Sequence, residues 1–176
     1  ATIPTLTVLT AVCTAGYIVT LADRLLLFSR GLARDAIFTV DDDEARAVPE
    51  QDLPTYTVLV PAYNEPEVVG DLIAAMTAID YPAGKLQVLL LLEEDDAVTI
   101  AAAREAGLGE IVEILLVPAA DPRTKPKACN YGLHFATGDV VTIFDAEDLP
   151  DPLQLRRVAV AFDRLGDDVA CVQAKL

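Results

Sequence analysis

Cations are scarce in this sequence: 13 lysines and arginines stand against 28 aspartates and glutamates in 176 residues, a formal net charge of −15. Binding to a phosphate backbone needs a positive field, so this charge argues against nucleic acid as a partner. Histidine occurs once, as His134, and cysteine three times, as Cys13, Cys129 and Cys171. The cysteines lie far apart without metal-ligand spacing and read as reduced, mostly buried thiols. His134 falls in a helical pattern and reads as structural. No Gly-x-Gly-x-x-Gly follows the first strand and there is no P-loop, so both familiar glycine-rich phosphate cradles are missing. Repeats at a fixed period are absent, as are low-complexity tracts beyond one acidic run.

Apolar residues, by contrast, are abundant: 53% of the chain, with a mean hydropathy of +0.38. The excess sits at the front, where Ala1 to Ala22 carry no charge and Leu25 to Phe28 extend the run. About 20 apolar residues are enough for a helix to cross the hydrocarbon core. The threonines in this stretch lower its hydropathy, but their hydroxyls can bond back to helix carbonyls. No basic segment precedes the run, which argues against a signal peptide. Residues 1–28 therefore read as a transmembrane helix, with a buried core helix as the structural alternative. Arg24, Arg30 and Arg34 follow or close the run and place the remainder of the chain in the cytoplasm. Residues 29–54, centred on Asp41-Asp42-Asp43-Glu44, read as a solvated acidic juxtamembrane linker.

From residue 55 the pattern alternates. Strands are expected at Tyr56–Val60, Gln87–Leu92, Ile111–Val117 and Val140–Phe144, with a fifth opening at Val169–Val172. Helices are expected at Glu65–Ile79, from the Asp96 cap to Ala106, at Lys127–Ala136 and at Pro150–Leu165. Strands alternating with helices of this length imply an α/β fold with a doubly wound, mostly parallel sheet. Because the chain starts with Ala1 and stops at Leu176 inside the expected fifth strand, it reads as a fragment of a longer protein.

Four segments at strand carboxyl ends carry the chemistry. Asp145-Ala146-Glu147-Asp148 places three carboxylates directly after an apolar strand. Crowded acids repel unless a cation joins them, and Mg2+ or Mn2+ bridging to a diphosphate would do so. Arg123-Thr124-Lys125-Pro126-Lys127 is a positive island at a helix start, suited to a diphosphate. Pro61-Ala62-Tyr63-Asn64-Glu65 exposes an aromatic ring that suits a flat base, and Glu65 would open the next helix. Glu93-Glu94-Asp95-Asp96 offers acceptors for a base N–H or a ribose hydroxyl, one of its acids serving as a helix cap. A haloacid dehalogenase-type phosphatase would instead want Asp-x-Asp-x-Thr/Val after the first strand.

As a set, these segments resemble family 2 inverting glycosyltransferases of the GT-A fold, in the membrane-bound group similar to cellulose, chitin and hyaluronan synthases. The resemblance spans residues 55–176 and implies their truncated, Rossmann-like nucleotide-sugar-binding part. It implies contacts of Ala62, Tyr63 and Glu65 with uracil and ribose, and of Glu93 or Glu94 with the uracil. Lys127 and Asn130 match the family's Lys-Ala-x-Asn segment beside the diphosphate. Asp145 and Glu147 match its Asp-x-Asp motif, which binds the sugar nucleotide and Mg2+ or Mn2+, with Glu in the third position and Asp148 as an extra acid. The implied activity moves sugar from a UDP-sugar donor to a glycan or other hydroxyl acceptor at the cytoplasmic face of the cell membrane, with the lipid bilayer as a further partner. The family's acceptor-side motifs, among them the catalytic base and Gln-x-x-Arg-Trp, are expected beyond Leu176. Two alternatives stand beside this reading: a non-catalytic sugar-nucleotide-binding subunit, and a sugar-nucleotide pyrophosphorylase, which usually starts with a glycine-rich loop after strand one.

Overall fold

The computed structural model describes residues 2–33, 38–166 and 168–174. Arg34 and Leu176 lie outside the described residues. The chain divides into two compact units, residues 1–39 and 40–176.

The first unit is one helix, α1 (Thr2–Ala33). Its stretch Pro4–Ser29 is 26 residues long with a mean hydropathy of 1.7 and none of its apolar surface buried. At 1.5 Å per residue it measures about 39 Å, more than the roughly 30 Å of a hydrocarbon core. It is therefore long and apolar enough to cross a membrane. The hydroxyl of Thr20 donates to the Gly16 carbonyl at 3.0 Å, and that of Ser29 to Leu26 at 2.8 Å, so these polar groups are satisfied within the helix.

The second unit opens with α2 (Asp42–Ala47), where the sequence suggested a solvated linker. The Asp41 carboxylate caps it by accepting from the Glu44 N–H at 2.8 Å, and Ala45 is fully buried. Acids in a first turn suit the helix dipole. Here they also find cations: Arg157 donates to Asp42 at 2.5 Å, and Arg164 pairs with Glu44. The run of acids is thus a docked helix.

Four parallel strands follow: β1 (Tyr56–Ala62), β2 (Leu86–Glu93), β3 (Val112–Val117) and β4 (Val140–Ile143), in the spatial order β3-β2-β1-β4. Between them run α3 (Val69–Thr77), α4 (Ala97–Ala106) and α5 (Lys125–Leu133), and α6 (Gln154–Leu165) follows β4. Val58, Val60, Val88, Leu90 and Leu92 pack with α3, α4 and α6 on one face. Leu59, Leu89, Leu91 and Val117 pack with Ala128 and Cys129 of α5 on the other. Helices therefore cover both faces, which explains why β1 and β2 are almost continuously apolar. Arg156 ties α6 down: it is 7% exposed and its Nε donates to the Asp80 carbonyl at 2.9 Å.

Two expectations along the chain need correction. Glu65 does not open α3, because the helix begins four residues later. The Asn64 N–H donates to Asp96 Oδ2 at 2.6 Å and the Glu65 N–H to Thr99 Oγ1 at 3.1 Å, so these groups serve a cross-loop latch. Asn64 adopts a φ of 57°, a left-handed conformation that asparagine tolerates. Residues 169–174 form no strand. Val169, Ala170 and Cys171 lie beside β4 along a groove with Val140 and Thr142, but a strand needs backbone pairing as well as apolar residues.

Candidate functional site

In open parallel sheets, ligands settle beyond the strand carboxyl ends, where the strand order reverses direction. That switch point lies between β1 and β4, since β2 and β3 extend to one side and β4 to the other. A cleft of about 230 Å3 opens there. It is lined by Pro61 and Ala62 at the end of β1 and Tyr63 and Glu65 after it, by Leu91 and Glu93 of β2, by Arg123 to Lys125 and Ala128 around the start of α5, and by Asp145 to Glu147 after β4. Three of the four sequence segments thus meet in one cavity, and the fourth contributes Glu93.

The aromatic corner is held by a cation. Tyr63 is 45% exposed, and Arg123 Nη1 donates to its hydroxyl at 2.8 Å. The guanidinium carbon lies 5.6 Å from the Tyr63 ring centroid, within cation–π range. Asp95 pairs with the other guanidinium nitrogen. The Tyr63 hydroxyl first, and then the Asp95 carboxylate, keep Arg123 more firmly protonated than a free arginine. One side chain therefore joins the loops after β1, β2 and β3.

Asp96 steadies the same corner from below. Burial pushes its carboxyl pKa up, but bonds from the Thr99 hydroxyl and from the Asn64 and Thr99 backbone N–H groups outweigh that, leaving it below the ordinary value. Asp96 is thus a cap and a loop latch, as its place before α4 suggested.

The acidic corner is the turn after β4. The Asp145 N–H donates to Asp148 Oδ2 at 2.7 Å, and the Asp148 N–H returns to the Asp145 carbonyl at 3.0 Å. Asp148 is consumed in closing this turn, while Asp145 and Glu147 line the cleft. Lys125 forms an ion pair with Asp145. Among the described residues, no group of three or more histidines, cysteines or acids is arranged to hold a metal by itself. Mg2+ and Mn2+ sites in nucleotide enzymes do not require one, because one or two carboxylates and the substrate phosphates complete the shell with water. Asp145 and Glu147 bring two such carboxylates to the cleft, and so fit a site of that kind.

The remaining expected residues lie elsewhere. Lys127 Nζ donates to both Glu93 oxygens, at 3.0 and 2.8 Å, and to the carbonyls of Pro118 and Ala120, at 2.7 and 3.0 Å. Glu93, with a side chain only 4% exposed, is thereby neutralised. Glu94 accepts from the Ala119 N–H at 3.0 Å and fixes the strap after β3. Asn130 is exposed on α5, outside the cleft lining. The cations that face the cavity are Arg123 and Lys125. A signal for this existed in the sequence. Thr124 caps α5, accepting from the Lys127 N–H at 3.4 Å, and Pro126 suits a first helical turn, so α5 starts at Lys125. Lysines two positions apart on a helix point about 200° apart, so only one of them can face the cleft.

Comparison with known proteins agrees with this geometry. A family model described as "Glycosyltransferase like family 2" matches residues 54–176. The probable glycosyltransferase YdaM of Bacillus subtilis is 27% identical over 105 residues, covering 58% of this chain and 25% of that protein. Cellulose synthase 2 of Novacetimonas hansenii is 35% identical over 102 residues, 56% of this chain and 6% of its own length. The chain thus spans a quarter or less of these relatives. Among solved structures, a Pyrobaculum calidifontis mannosyltransferase in complex with GDP-Man and Mn2+ superposes with a TM-score of 0.54 at 28% identity, covering 65% of this chain and 36% of that one. S. aureus TarS 1–349 in complex with UDP-GlcNAc gives a TM-score of 0.53 at 20% identity, covering 62% and 31%, and supports the fold alone. With the matched family model covering its whole sheet and the cleft at the switch point, this chain belongs to the glycosyltransferase-like family 2.

Proposed function

We propose that the cleft binds the donor of an inverting sugar transfer, a UDP-sugar with Mg2+ or Mn2+, at the cytoplasmic face of a membrane. One observation carries the reading: a single cavity at the switch point joins an aromatic ring, two cations and four carboxylates, among them Asp145 and Glu147. Tyr63 offers a face to the base, Arg123 and Lys125 offer charge to the diphosphate, and Asp145 and Glu147 would hold the metal. Similarity to a protein solved in complex with GDP-Man and Mn2+ supports nucleotide and metal together. When bound, the metal would stabilise the charge that develops on the diphosphate as the sugar–oxygen bond breaks. The chain's own residues hold the leaving group in line for attack by an acceptor hydroxyl from the opposite side. A glycan is the acceptor class suggested by the cellulose synthase relatives.

Binding tests the reading directly. Charge-assisted contacts to a diphosphate are worth about 1.5–3 kcal/mol. UDP is therefore expected to bind the full chain, in detergent with Mn2+, roughly ten- to a hundredfold more tightly than uridine. Equal affinity would remove the diphosphate from the cleft.

For the membrane, α1 is proposed to span with the second unit cytoplasmic, on the strength of its length, its lack of buried surface and the arginines that follow. Cys171 is exposed and Cys129 buried, so Cys171 reports the side on which the globular unit lies. In sealed, right-side-out vesicles, Cys171 should react with an impermeant maleimide only after lysis. Labelling in intact vesicles would refute the orientation.

A further inference from the structure

The Lys125 ammonium is seated on Asp145, the carboxylate assigned above to the metal. We propose that Lys125 is an exchanging residue. It neutralises Asp145 when no metal is present, and yields that carboxylate to the divalent cation as a diphosphate arrives to take up its charge. The inference rests on the donor-binding reading of the cleft and adds an order of events to it.

Three features of the cleft favour exchange at Lys125 and at no neighbouring cation. First, the pair is half exposed, with side-chain exposures of 45% for Lys125 and 52% for Asp145. Such pairs contribute little and open easily. Second, the start of α5 is fixed by the Thr124 cap, while the lysine side chain is a flexible four-carbon stem with three rotatable donors. It can leave Asp145 for another acceptor in the same cavity without moving the backbone. Third, each of the other cations is held by more than one partner. Arg123 is held by Tyr63 and Asp95, and Lys127 by the buried Glu93 and two carbonyls.

The physical consequence is a coupling between ligands. A divalent ion approaching Asp145 alone must displace an ammonium and then tolerate it nearby. Together with a diphosphate it meets no such opposition, because the ammonium gains a partner of its own. Metal alone is thus disfavoured, and metal and diphosphate raise each other's affinity by the same factor.

The test uses the full chain in detergent micelles, with Mn2+ affinity read from the free-ion EPR signal with and without UDP. Lys125→Gln is expected to raise Mn2+ affinity without nucleotide by roughly three- to tenfold, the scale of a half-exposed ion pair plus relief of charge repulsion. Lys125→Arg keeps the charge and should stay near the wild type. The factor by which UDP raises Mn2+ affinity should shrink in Lys125→Gln. Equal nucleotide-free Mn2+ affinity in the wild type and a folded Lys125→Gln overturns the exchange. Asp145→Asn separates this failure from failure of the metal reading. If it loses Mn2+, the metal reading stands independently of Lys125; wild-type Mn2+ affinity in Asp145→Asn overturns both.

Discussion

Lys127→Ala is expected to destabilise the globular unit by about 3 kcal/mol, because removing one partner of a buried pair leaves an uncompensated charge. Glu93 is 3% exposed and both its oxygens accept from Lys127, so the substitution strips a buried carboxylate of its ammonium partner. The carbonyls of Pro118 and Ala120 lose a donor in the same substitution. Thermal unfolding in detergent measures the effect. Glu93→Gln/Lys127→Ala should recover part of the loss, since the double variant buries an amide in place of a charge, and contacting residues are not additive. A residue that only touched a diphosphate would behave in the opposite way, keeping the wild-type melting temperature and losing UDP. An unchanged melt in Lys127→Ala would return this lysine to the cleft.

Gly138→Ala should be at least as damaging, for a steric reason. A Cβ at this position would lie 2.5 Å from the Thr57 backbone nitrogen and 2.6 Å from the Tyr56 carbonyl carbon. These are backbone atoms of β1, which is hydrogen-bonded to β2 on one side and β4 on the other, so they have no room to yield. The Gly138 N–H also donates to Thr57 Oγ1 at 2.9 Å, so the turn cannot lift away without losing that bond. Overpacking typically costs about 1–3 kcal/mol, and a clash with central-strand backbone belongs at or above the top of that range. The expected result is loss of the cooperative unfolding transition, or a melting temperature lowered by more than 10 °C, roughly the shift for 3 kcal/mol in a unit of this size. A wild-type melt would mean that β4 enters the sheet along a different path.

The α/β alternation was legible in the sequence because β1 and β2 are buried on both faces and their apolar runs are unbroken. The start and end of α4 were legible because Asp96 and Gly107 carry their own backbone chemistry, a side-chain cap and a φ of 79°. The delayed start of α3 was not, because it depends on Asn64 and Glu65 finding acceptors on a helix more than thirty residues away in sequence. Docking of Asp42 and Glu44 was hidden for the same reason, their cations lying on α6.

In the cleft, Ala62, Tyr63, Glu65, Glu93, Asp145 and Glu147 came together as their positions at strand ends implied. Lys127, Glu94 and Asn130 did not. Helical rotation turns Lys127 towards Glu93, and the Glu94 carboxylate is taken up by the strap at Ala119. Asp148 illustrates the limit most simply. Three acids in four residues look alike in sequence, yet only the backbone of the turn decides that Asp148 faces Asp145 N–H and not the cavity.

Asp145 and Glu147 are proposed to bind a diphosphate through a divalent cation, so UDP binding should depend on that ion. Calorimetric titration of UDP into the full chain, first with Mn2+ and then with excess EDTA, measures that dependence. UDP affinity is expected to fall by at least about tenfold on chelation, on the order of 1.4 kcal/mol or more. Asp145→Asn with Mn2+ should behave like the chelated wild type. Equal UDP affinity with Mn2+ and with EDTA, in protein that still unfolds cooperatively, would contradict the metal role.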